Sequence, residues 1–156
     1  MGLGGWFYIC IITFNKQTIM ATQIFVNLPV KDLNKSIEFF TSLGYSFNPQ
    51  FTNEVAGSLV ISDTIFFMLI TEPFFKTFTK KEIADATKVT EAINCISLDS
   101  REAVDEMIAK AVAAGATTPN DKQDHGWMYG WGFQDLDGHL WEFAYMDMSQ
   151  LPQHVS

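Results

Sequence analysis

Basic residues are scarce in this chain: 10 Lys and Arg stand against 18 Asp and Glu, a formal net charge of −8 over 156 residues. That balance argues against nucleic acid as a partner, because phosphate recognition needs a basic face that releases counterions. It suits a neutral or cationic small ligand, or simply a solvated acidic surface. Cysteine is scarcer still. Cys10 and Cys95 stand alone, which argues against a disulfide framework and fits reduced thiols in a cytoplasmic protein. Long apolar runs are missing as well. "WFYICIITF", Trp6–Phe14, falls well short of the roughly 20 residues of a membrane span, so no membrane partner is expected. No Lys or Arg precedes that run and no small-residue cleavage site clearly follows it, a poor fit to a secretory signal.

What is present is a core. Apolar residues make up 47% and charged residues 18%, the composition of one domain able to bury a sizeable interior. "MATQIFVNLPV", opening at Met20, reads as an ordinary start before a first strand, so residues 1–19 are expected to be an extension outside that core.

The rest is written twice. Ile24–Val30, "IFVNLPV", is a short β-rich run; "DLNKSIEFFTSLG" follows with Leu33, Ile37, Phe40 and Leu43 at helical spacing and Gly44 as the stop. Ala92–Leu98, "AINCISL", is again a strand, and "DSREAVDEMIAKAVAAG" again a helix. Val104, Met107, Ile108, Ala111 and Val112 form its apolar face, Ser100 its N-cap and Gly115 its end. "SDTIFFMLI" then overlays "LDGHLWEFA", placing Asp63 on Asp137 and Met68 on Glu142. Each half reads strand, helix, then an antiparallel meander, a repeat too long for a solenoid unit. In the connection, Thr79-Lys-Lys-Glu82 has capping-box spacing and predicts a short helix. Phe74, Phe75 and Phe78 either cover a pocket or anchor the connection to the body.

Alternation assigns two faces to each strand. Ile24, Val26, Leu28 and Val30 face a helix; Phe25 and Asn27 face away. Trp141, Phe143 and Tyr145 oppose Leu140, Glu142 and Ala144. Phe66, Met68 and Ile70 oppose Ile65, Phe67 and Leu69, and Ile93, Cys95 and Ser97 oppose Asn94, Ile96 and Leu98. Glu142 is the one charged group on the second faces.

A paired strand–helix–meander with "NLPVKDLNKSIEFFTSLGY" near its start and "FQDLDGHLWEF" near its end resembles the vicinal oxygen chelate superfamily, which includes glyoxalase I, extradiol dioxygenases, bleomycin-resistance proteins and fosfomycin-modifying enzymes. More narrowly it resembles bacterial predicted lactoylglutathione lyase-like proteins. The resemblance covers Ala21 to about Met148. It implies an α+β fold of two βαβββ modules whose sheets curve around a cleft with helices outside, and a homodimer. On that reading residues 20–148 are a single glyoxalase-like domain, with modules at about 20–72 and 90–148, a connection at 73–89 and a tail at 149–156.

The superfamily's metal enzymes take ligands from up to four positions, two per module. Those positions fall here on Phe25, Met68, Ile93 and Glu142. Phenylalanine and isoleucine cannot bind a divalent cation, and a thioether suits hard or borderline ions poorly. A catalytic metal usually needs three protein ligands, so the usual nickel, zinc or iron site is expected to be missing, with Glu142 its only remaining ligand. His139 points away from Glu142 by alternation, and His154 sits in the tail. His125 precedes "GWMYGWGF" and reaches the cleft only from a loop; with Glu142 it makes two ligands.

Three functions follow as expectations. The first is a metal-free binder of a flat or cationic molecule in an aromatic, largely apolar cleft, with Phe25, Asn27, Met68, Ile93, Tyr129 and Trp131 as ligand-binding candidates. The second is a lyase or isomerase of glyoxalase type, or a dioxygenase-like enzyme, acting on a small oxygenated substrate with Glu142 and His125 as catalytic candidates. A carboxylate in apolar company is a natural acid or base; the plain alternative is one solvated and bonded to neighbouring amides. The third is an interaction role with an empty cleft. His125 and Tyr129 form either a polar pair at the cleft mouth or an exposed loop histidine and a half-buried tyrosine. Asn27 orients a ligand or is satisfied by backbone. Cys95 is read as a buried core thiol rather than a nucleophile. Trp127, Tyr129, Trp131 and Phe133 alternate through Gly130 and Gly132, lining pocket or core.

Overall fold

Each half builds its helix from a polar cap and an apolar stripe. A computed structural model describes residues 21–152; the Trp6–Phe14 run, Cys10 and His154 lie outside them. Asp32 accepts a hydrogen bond from the Lys35 amide and opens α1, Leu33–Ser42, while Ser100 accepts one from Ala103 and opens α3, Arg101–Ala113. Gly44 and Gly115 follow the two helices with φ of 101° and 108°, a backbone that only glycine adopts without strain. Leu33, Phe39 and Phe40 are buried along α1, and Val104, Ile108 and Ala111 along α3. Val112, expected on the apolar face of α3, is exposed.

The expected α+β architecture of two βαβββ modules is what the chain forms. In the first, β1 (Ile24–Val30) pairs in parallel with β4 (Ile65–Thr71), which pairs antiparallel with β3 (Ala56–Val60) and through it with β2 (Ser46–Phe47). The second repeats this order with β5 (Ile93–Ser97), β8 (Leu140–Met146), β7 (Met128–Gln134) and β6 (Gln123–Asp124). The outcome is two four-stranded sheets, with β1 and β5 as edge strands.

The helix-facing residues of both sheets share one core. Trp141, 1% exposed, contacts Phe40 and Phe67 of the other module at ring-centroid distances of 5.0 and 4.7 Å, and Phe39 meets Phe133 at 5.7 Å. Aromatic burial of this kind carries about 3–5 kcal/mol per side chain by truncation. Because the helix sides are spent on this interior, the opposite faces of both sheets remain outward.

The connection departs from its expected form. Helix precedes Thr79 rather than starting there: α2 spans Glu72–Phe75, with Pro73 in its first turn, and a 3₁₀ turn covers Lys76–Phe78. Thr79 Oγ1 instead accepts the Lys81 amide at 3.1 Å, a turn two residues long, and Lys76 holds Glu82 at 3.1 Å. The hydroxyl and carboxylate of the apparent capping box are therefore occupied elsewhere.

Candidate functional site

The turn between β7 and β8, "DLDGH", joins the modules. Asp135 is buried and accepts the amides of Asp137 and His139 at 3.0 and 2.9 Å and the Trp141 indole N–H at 2.9 Å. Burial raises its carboxyl above the ordinary range, an effect only partly opposed by His139 and these hydrogen bonds. Asp137 accepts the Lys31 amide at 2.8 Å and the Ser36 hydroxyl at 3.2 Å, placing a carboxylate at the start of α1 where the helix dipole favours one. His139 Nε2 donates to Pro29 O at 2.7 Å. The face assignment of His139 holds, and its ring serves the join between modules.

Beyond this turn, β8 places Glu142 on the outward face with Cys95 directly beside it in the β5–β8 register and Gly132 opposite it on β7. A pocket of about 120 Å³ lies there. Ile93, Cys95, Gly130, Gly132, Leu140, Glu142 and Ala144 form its floor, and Pro119, Asn120, Asp121 and Gln123 its rim, with Trp131 among the walls. The two glycines leave the floor low. A side chain at Gly132 would bring Cβ within 2.6 Å of Trp141 O and 3.2 Å of Glu142 Cγ.

Glu142 itself is exposed, so the desolvation expected of a carboxylate in apolar company is not met in the chain as it stands. The outward-facing side of β8 has no layer above it. Cys95 is a correction of the same kind. Instead of a core thiol it is exposed, because the shared core lies on the other side of β5. Partial desolvation against the sheet first, and the Glu142 charge second, push its thiol up.

The remaining candidates divide. Ile93, 52% exposed, lies beside Glu142 in the pocket lining. Phe25, 50% exposed, stacks on Phe66 at 5.0 Å, and Asn27 sits in register with Met68, all on the other sheet. The four positions that the resemblance assigns as ligands are thus two pairs on two sheets, and neither Phe25 nor Met68 lines the Glu142 pocket. Tyr129 turns to the helix side, is buried and donates to Asp105 at 2.7 Å, with Arg101 over its ring at 5.1 Å. The alternation that placed Phe133 in the core carries Tyr129 there too. His125 is exposed on its loop, its Nε2 3.4 Å from Gln123 Oε1. Trp131 is half-buried, donates to Asn120 O at 3.1 Å and has Lys122 over its ring at 5.3 Å.

Sequence reasoning passed over the 119–123 rim and the glycine floor. The alternation that put Cys95 and Glu142 on one face was the available signal for the thiol. No comparable signal marks the rim, which reaches the pocket through irregular backbone.

A divalent metal of the superfamily type does not fit these residues. Phe25, Met68 and Ile93 offer no hard donor, and among the described residues no three His, Cys, Asp or Glu side chains converge. Nor is any helix among them long and apolar enough to cross a membrane.

Paired βαβββ modules with an outward pocket on the β5–β8 face define a glyoxalase/bleomycin resistance/dioxygenase fold. The comparisons agree. Residues 22–57 match the family model described as bleomycin resistance protein-like N-terminal. A hypothetical protein from S. aureus is 26% identical, covering 81% of this chain and 94% of its own at a TM-score of 0.69. A glyoxalase/bleomycin resistance protein/dioxygenase family enzyme from Burkholderia phytofirmans is 16% identical, over 81% and 99%, with a TM-score of 0.67. A genomically encoded fosfomycin resistance protein from Listeria monocytogenes is 18% identical, over 84% and 98%, at 0.60. No curated protein matches the sequence. The chain has the fold of these proteins, and the family-model match falls on its first module.

Proposed function

We propose that this protein binds a flat, cationic small molecule on the Glu142 face, without a metal. The observation that carries the reading is the charge of the pocket. Its two charged lining residues, Asp121 and Glu142, share one sign, and no Lys, Arg or His is among its lining residues. Trp131 borders the pocket from β7, its ring turned with that of Tyr129 toward Lys122 on the helix side. A pocket of this size holds only part of a drug-sized ligand. Exposed Ile24, Phe25, Ile93 and Met146 support a homodimer in which a second copy deepens the cleft. Such a dimer would suit the cytoplasm.

The test is a fluorescence titration with N-methylquinolinium against uncharged quinoline at pH 8. Saturable binding of the cation, weakened about fivefold by Glu142→Gln, the upper range for an exposed ion pair, supports the reading. Equal binding of the neutral compound removes it. Turnover of a hemithioacetal by the protein would put the enzyme alternative in its place.

A further inference from the structure

A second cavity, about 400 Å³, lies away from Glu142 along the free edge of β1. Consecutive residues Val26–Pro29 line it while no β4 residue does, so it meets the strand edge-on. Asn94 and Leu140 close the far side, and the connection from Phe75 to Ala92 roofs it.

The roof is firmly set. Hydrogen bonds from Thr87 first and Lys88 second hold Asp85 down at about 2. The strap also passes so close over Gly138 that a Cβ there would lie 2.5 Å from the Thr87 amide nitrogen.

Parity along β1 decides what faces the cavity. Ile24 N–H bonds to Thr64 O, on the β4 side, so the backbone groups of residues 24, 26, 28 and 30 turn to β4 and those of 25, 27 and 29 turn outward. Pro29 has no N–H, and its carbonyl takes the His139 ring. Asn27 is left with an amide N–H and a carbonyl side by side on the edge that lines the cavity, neither turned to β4. Rim charge is balanced: Glu82 is paired with Lys76, and Lys81 and Glu91 are of opposite sign.

The geometry points to a binding site for a neutral, planar cyclic amide, whose adjacent C=O and N–H pair with the Asn27 N–H and C=O while its apolar body fills the cavity. The volume suits one bicyclic molecule. A peptide strand is disfavoured, because Pro29 and the roof stop the edge from pairing beyond Asn27. This site shares only Leu140 with the pocket on the Glu142 face and does not depend on the reading of that pocket.

The probe is 2-quinolone, titrated by its own fluorescence into the full chain, with N-methyl-2-quinolone as the analogue lacking the donor. One saturable site is expected, with the N-methyl compound about tenfold weaker. Asn27→Pro removes only an outward amide on an edge strand and should also weaken 2-quinolone about tenfold, whereas Asn27→Ala keeps the amide and the affinity. Amide spectra of the wild type guard against a misfolded variant: 2-quinolone must shift the Asn27 amide and leave those of Cys95 and Glu142 in place. Equal binding of both quinolones, or an unmoved Asn27 amide, overturns the site. N-methylquinolinium reports on the Glu142 face separately, so either site can fail alone.

Discussion

Asp137 and Lys31, 106 residues apart, are joined by a 2.8 Å hydrogen bond from the Lys31 amide to the Asp137 carboxylate. It ties the Asp135–His139 turn of the second module to the residue before the Asp32 cap of α1, with the Ser36 hydroxyl 3.2 Å from the other oxygen. Asp137→Ala should lower stability by about 0.5–1.5 kcal/mol, since it removes an exposed backbone hydrogen bond and a favourable helix-dipole charge. Ser36→Ala should cost less, because its single hydroxyl proton is shared between Asp137 and Asp32 O and Asp137 keeps the Lys31 amide. Urea denaturation of the two variants checks the order.

Asp135 should make stability fall as pH rises. Its carboxyl is raised by burial, so between the unfolded value of about 4 and the folded one the native state holds the proton more tightly. The contribution is complete below the unfolded value and lost as pH passes through the folded one. Asp135→Asn should flatten that slope and destabilise by about 1–3 kcal/mol at neutral pH, because its NH₂ would face the Trp141 N–H as donor against donor. Chemical denaturation across pH 4–8 reads both effects.

Gly130 and Gly132 look alike in sequence and should behave differently. Alanine at Gly130 meets Phe143 O at an ordinary 3.7 Å, while at Gly132 it meets Trp141 O at 2.6 Å. Gly132→Ala should cost about 1–3 kcal/mol as overpacking; Gly130→Ala should fold normally and shallow the pocket. Thermal melts together with the N-methylquinolinium titration separate the two outcomes.

Cys95 reports the charge beside it. Since the Glu142 carboxylate helps to push the thiol up, Glu142→Gln should raise the thiolate fraction and speed alkylation by iodoacetamide at pH 8 by about two- to fivefold. An unchanged rate would show that the two side chains do not interact in solution.

Much of the fold was legible because local rules are strong. The cap Ser100 and the stops Gly44 and Gly115 sit where short-range geometry requires them. Alternation placed Trp141 and Phe143 inward and Glu142 outward. The failures share one cause, since periodicity tells which residues share a face but not what covers it. Periodicity reads Cys95 as a core thiol and leaves open whether Glu142 is desolvated or solvated and whether Tyr129 lines the cleft or the core. Each depends on which side of its sheet the neighbouring module packs. Thr79-Lys-Lys-Glu82 failed similarly, its carboxylate drawn away by Lys76.

The amino-acid sequence by itself determined two strand–helix–meander repeats, their turns, and the two faces of each strand. These follow from residue chemistry and short-range periodicity. Only the tertiary structure decided that both helix faces meet in one core around Trp141 and that Asp137 reaches across to Lys31. It alone left Glu142 and Cys95 together on an open face, because burial and long-range hydrogen bonds depend on how the modules pack.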